Sequence, residues 1–256
     1  MKKRLEHKMR VKGQERIAKE TFRMTLDAAQ APFDFLAGTF LNIALPDGRF
    51  LLRRPLSIFS ASKERNELSV IYKILGEGTR SLAQVAPGQI LSVVGPLGTG
   101  FPIQSDAKRV LLIGGGVGVP PLYELGCRLK KEGTQVTSVL GFRDRESVFC
   151  EAEFQTLGNT IICTDDGSYG DHGLVTEAIA THGLDFDVLY ACGPSPMLRA
   201  VDETFQGKKK GYLSFEERMA CGIGACYGCM TPTKAGLRRV CTDGPVFSLG
   251  EVVYHD

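Results

Sequence analysis

Four of the eight cysteines crowd near the carboxyl end: Cys221, Cys226 and Cys229 in the run Cys221-Gly222-Ile223-Gly224-Ala225-Cys226-Tyr227-Gly228-Cys229, then Cys241 after eleven further residues. C-x4-C-x2-C with a distant fourth cysteine is the plant-type spacing for a [2Fe–2S] cluster. A loop that supplies three thiolates must curl around the metal. Gly222, Gly224 and Gly228 permit that curl and let backbone N–H groups approach sulfur. The competing reading is a structural zinc site. Zinc sites usually pair two short cysteine units, however, and here the fourth cysteine stands alone. Cys127, Cys150, Cys163 and Cys192 are scattered singly through apolar segments.

A second signal is Leu111-Leu112-Ile113-Gly114-Gly115-Gly116-Val117-Gly118-Val119-Pro120-Pro121, an apolar strand running through glycines into a proline-started helix. Gly116, Gly118 and Pro121 stand where unpaired N–H groups of a helix start could receive a pyrophosphate. The third glycine of the dinucleotide fingerprint is replaced by Val119 or Pro120, and the second strand ends Gly141-Phe142-Arg143-Asp144-Arg145 without the expected acid. Tight strand-to-helix packing therefore explains this turn equally well on its own. Arg143 and Arg145 either neutralise a 2′-phosphate or are solvated loop charges, which leaves NAD and NADP both open. A third signal, Cys192-Gly193-Pro194, closes a later strand, and ligands of open α/β sheets sit at such carboxyl ends. Cys192 is either a reactive group facing that crevice or a small buried hydrophobe. The fourth signal is Arg53-Arg54-Pro55-Leu56-Ser57, with Ile71-Tyr72-Lys73 on a following strand and Gly76-Glu77-Gly78-Thr79 ahead of a short helix. An arginine beside a helix start offers a bidentate clamp and a dipole for a second pyrophosphate.

These residues need a scaffold, and the chain supplies two kinds. Residues 9–18, 22–28, 39–45, 55–60, 67–75 and 90–94 read as short strands separated by turns such as Pro46-Asp47-Gly48, the pattern of an antiparallel barrel or sandwich. Thr79 is placed as the cap of a helix over residues 80–85. From about residue 100 the rhythm changes. Strands at 110–113, 135–142, 159–164, 187–191 and 212–215 alternate with helices at 121–132, 151–157, 174–182 and 196–205, as in a doubly wound parallel sheet. The expected division is residues 1–103, 104–211 and 212–256: a β-barrel domain, an α/β domain and a cysteine segment.

Composition excludes several alternatives. With 31 Lys and Arg against 29 Asp and Glu, the net charge of +2 lacks the concentrated basic surface that nucleic acid requires. No apolar run reaches the roughly 18 residues of a membrane span, and the basic start is not followed by a secretory signal. A cytosolic, reducing location is therefore expected, which favours metal over disulfides for the clustered thiols. His7, His172, His182 and His255 match no metal or triad spacing. Neither a G-x-S-x-G element nor a phosphate loop of the G-x-x-x-x-G-K type is present, so hydrolysis and phosphoryl transfer are poor readings.

Arg54-Pro55-Leu56-Ser57, Gly78-Thr79, Gly116 to Pro121 and Cys192-Gly193-Pro194, in this order, resemble the ferredoxin reductase superfamily. With Ser214-Phe215-Glu216-Glu217-Arg218-Met219-Ala220-Cys221 and the ending Cys241-Thr242-Asp243-Gly244-Pro245-Val246-Phe247, the whole chain resembles the electron-transfer subunits of class B dihydroorotate dehydrogenases. The resemblance implies an FAD-binding barrel, an NAD-binding α/β domain and a [2Fe–2S] segment. Arg54 would hold the FAD pyrophosphate, with Pro55 beside it; Ser57 would contact the isoalloxazine edge. Ile71, Tyr72 and Lys73 would line the flavin, and Gly78 and Thr79 would complete the phosphate site. The Gly116–Gly118–Pro121 turn, Gly193 and Pro194 would receive NAD as co-substrate, with Cys192 catalytic near the flavin. Leu56 departs from the wider superfamily, where a tyrosine is common, and suits the narrower group. Cys221, Cys226, Cys229 and Cys241 would ligate the irons. The implied partner is a catalytic, FMN-containing dihydroorotate dehydrogenase subunit, two copies of each chain forming a heterotetramer. The same cofactors also fit a reductase subunit of another complex, such as a hydrogenase or a ferredoxin-dependent NADP reductase. A zinc-stabilised nucleotide-binding module is the reading of a different class.

Overall fold

The computed structural model describes residues 6–29, 34–45, 48 and 50–254. Pro46 and Asp47 of the expected turn, the basic start and His255 lie outside the described residues. The amino-terminal part is a closed antiparallel barrel of β1 (Glu6–Ala18), β2 (Thr21–Asp27), β3 (Phe40–Ile43), β4 (Arg54–Ser62), β5 (Glu67–Lys73) and β6 (Ile90–Leu97), in spatial order β1-β2-β5-β4-β3-β6. Alternation builds it. Along β6, Leu91, Val93, Gly95 and Leu97 are buried and the residues between them are not, the period of two that a half-buried strand requires. Met24, Leu26, Leu68, Val70, Leu91 and Val93 meet inside.

Helix α1 (Glu77–Leu82) plugs one end of the barrel with fully buried Leu82. It begins three residues before the expected start, so Thr79 lies in its first turn and not in front of it. From there the Thr79 hydroxyl accepts the N–H groups of Leu75 (2.9 Å) and Gly76 (3.3 Å), tying down the chain that leads into the helix. At the other end the Gln14 side-chain amide donates to the carbonyls of Leu82 (3.2 Å), Ala83 (3.0 Å) and Val85 (3.2 Å), groups that a helix terminus otherwise leaves unpaired.

The second part is built from β7 (Arg109–Gly115), α2 (Pro120–Lys131), β8 (Gln135–Phe142), α3 (Glu151–Gln155), β9 (Gly158–Thr164), β10 (Asp171–His172), α4 (Val175–Thr181), β11 (Val188–Cys192), α5 (Ser195–Phe205) and β12 (Lys210–Ser214). Its sheet runs β10-β9-β8-β7-β11-β12-β15. All pairings are parallel except the last, where β15 (Val246–Ser248) joins β12 antiparallel. β7 and β11 are almost uniformly buried because helices cover both faces, which is why they read as continuous apolar runs.

The carboxyl-terminal segment adds a hairpin, β13 (Met230–Thr233) and β14 (Gly236–Arg239), and contributes β15 to the sheet. Cys229, Val240, Cys241 and Phe247 share one core with Leu111, Ala191 and Leu213 of the sheet and with Phe40 and Leu97 of the barrel. The cysteine loop is therefore wedged where barrel and sheet meet. Across the same junction Phe59 stacks on Tyr123 at 4.7 Å, Arg23 pairs with Glu153, and Arg128 donates to the carbonyl of Phe35 at 2.6 Å.

Candidate functional site: two adjoining cavities and a cysteine loop

Two cavities lie along the junction. The first, about 200 Å³, is walled on the barrel side by Arg54, Pro55, Leu56 and Ser57 of β4 and by Ile71, Tyr72 and Lys73 of β5, with Thr79 at one end. β4 and β5 are neighbours in the barrel, so sequence-distant residues become one surface. Gly78 lies beneath this wall. A Cβ there would collide with the Arg54 guanidinium, so only glycine lets the arginine lie against the start of α1. Arg54 is further oriented by donating to the Leu52 carbonyl at 2.6 Å and by the Phe50 ring at 5.3 Å. A guanidinium beside exposed helical N–H groups is a donor set suited to the diphosphate of FAD.

The opposite wall comes from the α/β part and the cysteine segment: Val117, Cys192, Ser214, Glu216, Met219 and Pro245. Cys192 is 2% exposed. Burial, reinforced by the Glu216 carboxylate, pushes its thiol well above the usual range despite a hydrogen bond from Ser214. At neutral pH it is a neutral SH group. Glu216 opens its surface to the cavity while protein surrounds it elsewhere, and that desolvation raises its pKa.

The second cavity, about 410 Å³, opens at the carboxyl ends of β7, β8, β9 and β11. Gly115, Gly116, Gly141, Arg143, Asp165 and Pro194 are among the residues lining it, as a crevice at the switch point of an open sheet requires. Gly116 and Pro194 thus face it, whereas Gly118, Pro121 and Gly193 do not. The reason for Gly118 is packing: a Cβ at this position would run into the carbonyl of Cys192. This glycine brings the β7–α2 turn against the end of β11. Pro121 is buried in the first turn of α2. Lys73 and Val117 line both cavities, so a ligand in one lies beside a ligand in the other.

The cysteine loop lies next to the first cavity. Cys221 Sγ accepts N–H groups from Ile223 (3.4 Å), Ala225 (3.3 Å) and Cys226 (3.4 Å), and Cys226 Sγ accepts that of Gly228 (3.5 Å). Against the burial that would raise it, the N–H groups of Ile223 and Cys226, the Cys226 thiol and the Ala225 N–H hold Cys221 down at about 6. Burial, together with hydrogen bonding and charge from Cys229, pushes Cys241 up to about 12. The thiols thus form two pairs, Cys221 with Cys226 and Cys229 with Cys241. Among the described residues no group of three or more His, Cys, Asp or Glu side chains is arranged for a single metal ion. Four thiols gathered in one segment, with amides already aimed at two of the sulfurs, are a donor set that would suit a [2Fe–2S] cluster.

Several contributors carry little sequence signal. Val117, Glu216, Met219 and Asp165 belong to these walls only because of which strands lie side by side; Glu216, an acid at the end of an apolar strand, offers the one local hint.

Residues 8–101 match an oxidoreductase FAD-binding domain, residues 112–203 an oxidoreductase NAD-binding domain, and residues 216–253 the iron–sulfur cluster binding domain of dihydroorotate dehydrogenase B. The chain is 48% identical over 252 residues to the electron transfer subunit of dihydroorotate dehydrogenase B (NAD(+)) from Geobacillus thermodenitrificans, covering 96% of this chain and 98% of that one. It is 46% identical to the Bacillus caldolyticus protein of the same name, covering 96% and 98%. Among solved structures, the NADH-dependent reduced ferredoxin–NADP oxidoreductase superposes with a TM-score of 0.87 at 29% identity, covering 96% of this chain and 89% of that one. Phthalate dioxygenase reductase, at 20% identity with a TM-score of 0.65 and coverage of 96% and 95%, shares the fold.

Proposed function

The chain belongs to the family of electron transfer subunits of NAD-dependent dihydroorotate dehydrogenase B, and from that premise we propose how its residues divide the work. It is an oxidoreductase subunit that uses FAD, a [2Fe–2S] cluster and NAD. The observation that carries the assignment of sites is adjacency: the two cavities share Lys73 and Val117, and the cysteine segment closes one of them with Glu216, Met219 and Pro245. When bound, FAD exchanges hydride or single electrons and the cluster exchanges single electrons, which couples a two-electron nicotinamide to a one-electron path.

The chain's own residues position these groups. Arg54, seated over Gly78, anchors the flavin diphosphate, with Thr79 holding the approach to α1. Pro55, Leu56, Ser57, Ile71 and Tyr72 form the wall against which the flavin ring would lie, and Lys73 stands at the opening shared with the second cavity. Gly116 and Pro194 receive the nicotinamide nucleotide at the sheet edge; Gly118, Pro121 and Gly193 hold the two turns together behind them. Cys192, a buried thiol in the wall of the first cavity, keeps water from the face opposite the flavin wall. Cys221, Cys226, Cys229 and Cys241 hold the irons. The functional division into residues 1–103, 104–211 and 212–256 is part of this reading.

The relatives' name implies a catalytic partner that oxidises dihydroorotate. The resemblance further supports an FMN in that partner, a heterotetramer of two copies of each chain, and a cytosolic place in pyrimidine synthesis. Among the described residues no helix is long and apolar enough to cross a membrane. The test is to mix the purified chain, carrying its cofactors, with a class B dihydroorotate-oxidising subunit and follow NADH by absorbance. Dihydroorotate-dependent NADH formation is expected only with both present; activity no greater than that of the separate proteins rejects the partner.

A further inference from the structure

β3 reads Phe40-Leu41-Asn42-Ile43, and all four residues are buried. Asn42 is 1% exposed, an amide where the pattern calls for a hydrocarbon. Burying an amide is costly unless its hydrogen bonds are met. Its Oδ1 finds no partner among the described residues, and Nδ2 donates to the carbonyl of Cys221 at 3.4 Å. The contact is close: a Cβ on Gly222, whose φ is +66°, would sit 2.6 Å from Asn42 Nδ2. In the barrel ladder Asn42 pairs with Pro55, which lines the flavin cavity. Asn42 therefore stands one strand from the flavin wall and one hydrogen bond from the first cysteine of the loop.

We propose that Asn42 is a positioning residue for the [2Fe–2S] cluster: its side-chain amide fixes the Cys221–Gly222 peptide against the flavin barrel and so sets both the N–H groups aimed at Cys221 Sγ and the placing of the cluster relative to the flavin. This rests on the assignment of Cys221 as an iron ligand. With the peptide carbonyl held, the following residues turn so that three N–H groups converge on one sulfur. Such hydrogen bonds stabilise the more negative, reduced state of a cluster and raise its potential. Releasing the carbonyl loosens that set and lowers the potential without removing any thiolate.

The experiment uses the full chain, reconstituted with FAD and cluster, as wild type, Asn42→Leu and Asn42→Gln. Iron and acid-labile sulfide are counted, the cluster potential is measured by redox titration followed by electron paramagnetic resonance, and flavin-to-cluster electron transfer is timed by rapid mixing with NADH. Asn42→Leu should keep the iron, shift the cluster equilibrium toward the oxidised form about tenfold, which is about 59 mV for one electron, and slow the transfer. Asn42→Gln, which retains a donor, should recover part of both changes. A wild-type chain that holds no iron and sulfide overturns the assignment of the cysteines. Given an intact wild-type cluster, an unchanged potential and rate in Asn42→Leu overturns the role of Asn42 alone. Loss of FAD together with the cluster in both variants also overturns it, because Asn42 would then be a general packing residue of the barrel.

Discussion

Cys192, at the end of β11, and Cys221, in the carboxyl-terminal loop, are the same residue made into opposite things. Cys192 is sealed between the sheet and the flavin cavity, and burial beside a carboxylate keeps its proton in place. Cys221 is partly exposed, and against residual burial the N–H groups of Ile223, Cys226 and Ala225, with the Cys226 thiol, draw its thiol down to about 6. A regular strand spends its N–H groups on the ladder and has none left for a side chain. A loop rich in glycine leaves them free to turn toward sulfur. Backbone conformation, more than the cysteine itself, sets how readily each of these two thiols ionises.

The largest effect that could break this contrast is loss of the cluster. Cys226→Ser should leave essentially no acid-labile sulfide in the purified chain while FAD absorbance persists, because the proposed flavin wall belongs to β4 and β5. Cys192→Ser should keep full iron and sulfide. If Cys192→Ser lost the cluster, or Cys226→Ser also lost all flavin, the two regions would not be separable in the way the geometry indicates.

The stretches that the sequence singled out are those whose information is local. Cys221 to Cys229 fit within one loop, Arg54 to Ser57 within one strand, and the glycines after Ile113 within one turn. What escaped depends on which strands become neighbours. Asn42 resembles any polar residue in a short strand until β3 is laid against the cysteine loop, and Val117 joins the two cavities only because β7 ends opposite β5. β15, three residues long, is too short to show a period of two, and it becomes a strand only by pairing with β12. Gly118 carried a signal that was present but ambiguous: the same glycine serves a phosphate or a close backbone approach, and the carbonyl of Cys192 beside it accounts for the second.

A graded effect sharpens the contrast between the thiols. Thiolate, not thiol, attacks an alkylating reagent. In protein prepared without iron, Cys221 should react with iodoacetamide with a midpoint near pH 6, matching its lowered pKa of about 6. Its reactivity is present above that midpoint and falls as the pH drops through it. At pH 7 roughly nine-tenths of it would be thiolate, against a few per cent for an ordinary cysteine. Cys192 should remain unmodified at the same pH for as long as the fold persists. Peptide mass spectrometry across a pH series checks both; equal labelling of the two residues at pH 7 would remove the distinction.

The smallest expected effect tests whether the end of β11 is held by packing or shaped for a ligand. In Gly118→Ala the added methyl meets the Cys192 carbonyl, a backbone atom that cannot rotate away as a side chain would. Overpacking of this kind costs about 1–3 kcal/mol. For a domain of this size each kcal/mol lowers Tm by about 2–4 °C. Because Gly118 does not line the crevice while Gly116 does, affinity for NADH should fall only through displacement of Cys192-Gly193-Pro194. Melting temperature should therefore drop while NADH binding, measured by quenching of the bound flavin, weakens by no more than a few-fold, and iron content stays unchanged. A near-complete loss of NADH binding with an unaltered Tm would place Gly118 at the phosphate after all and make the β11 end a ligand cradle instead of a packed seal.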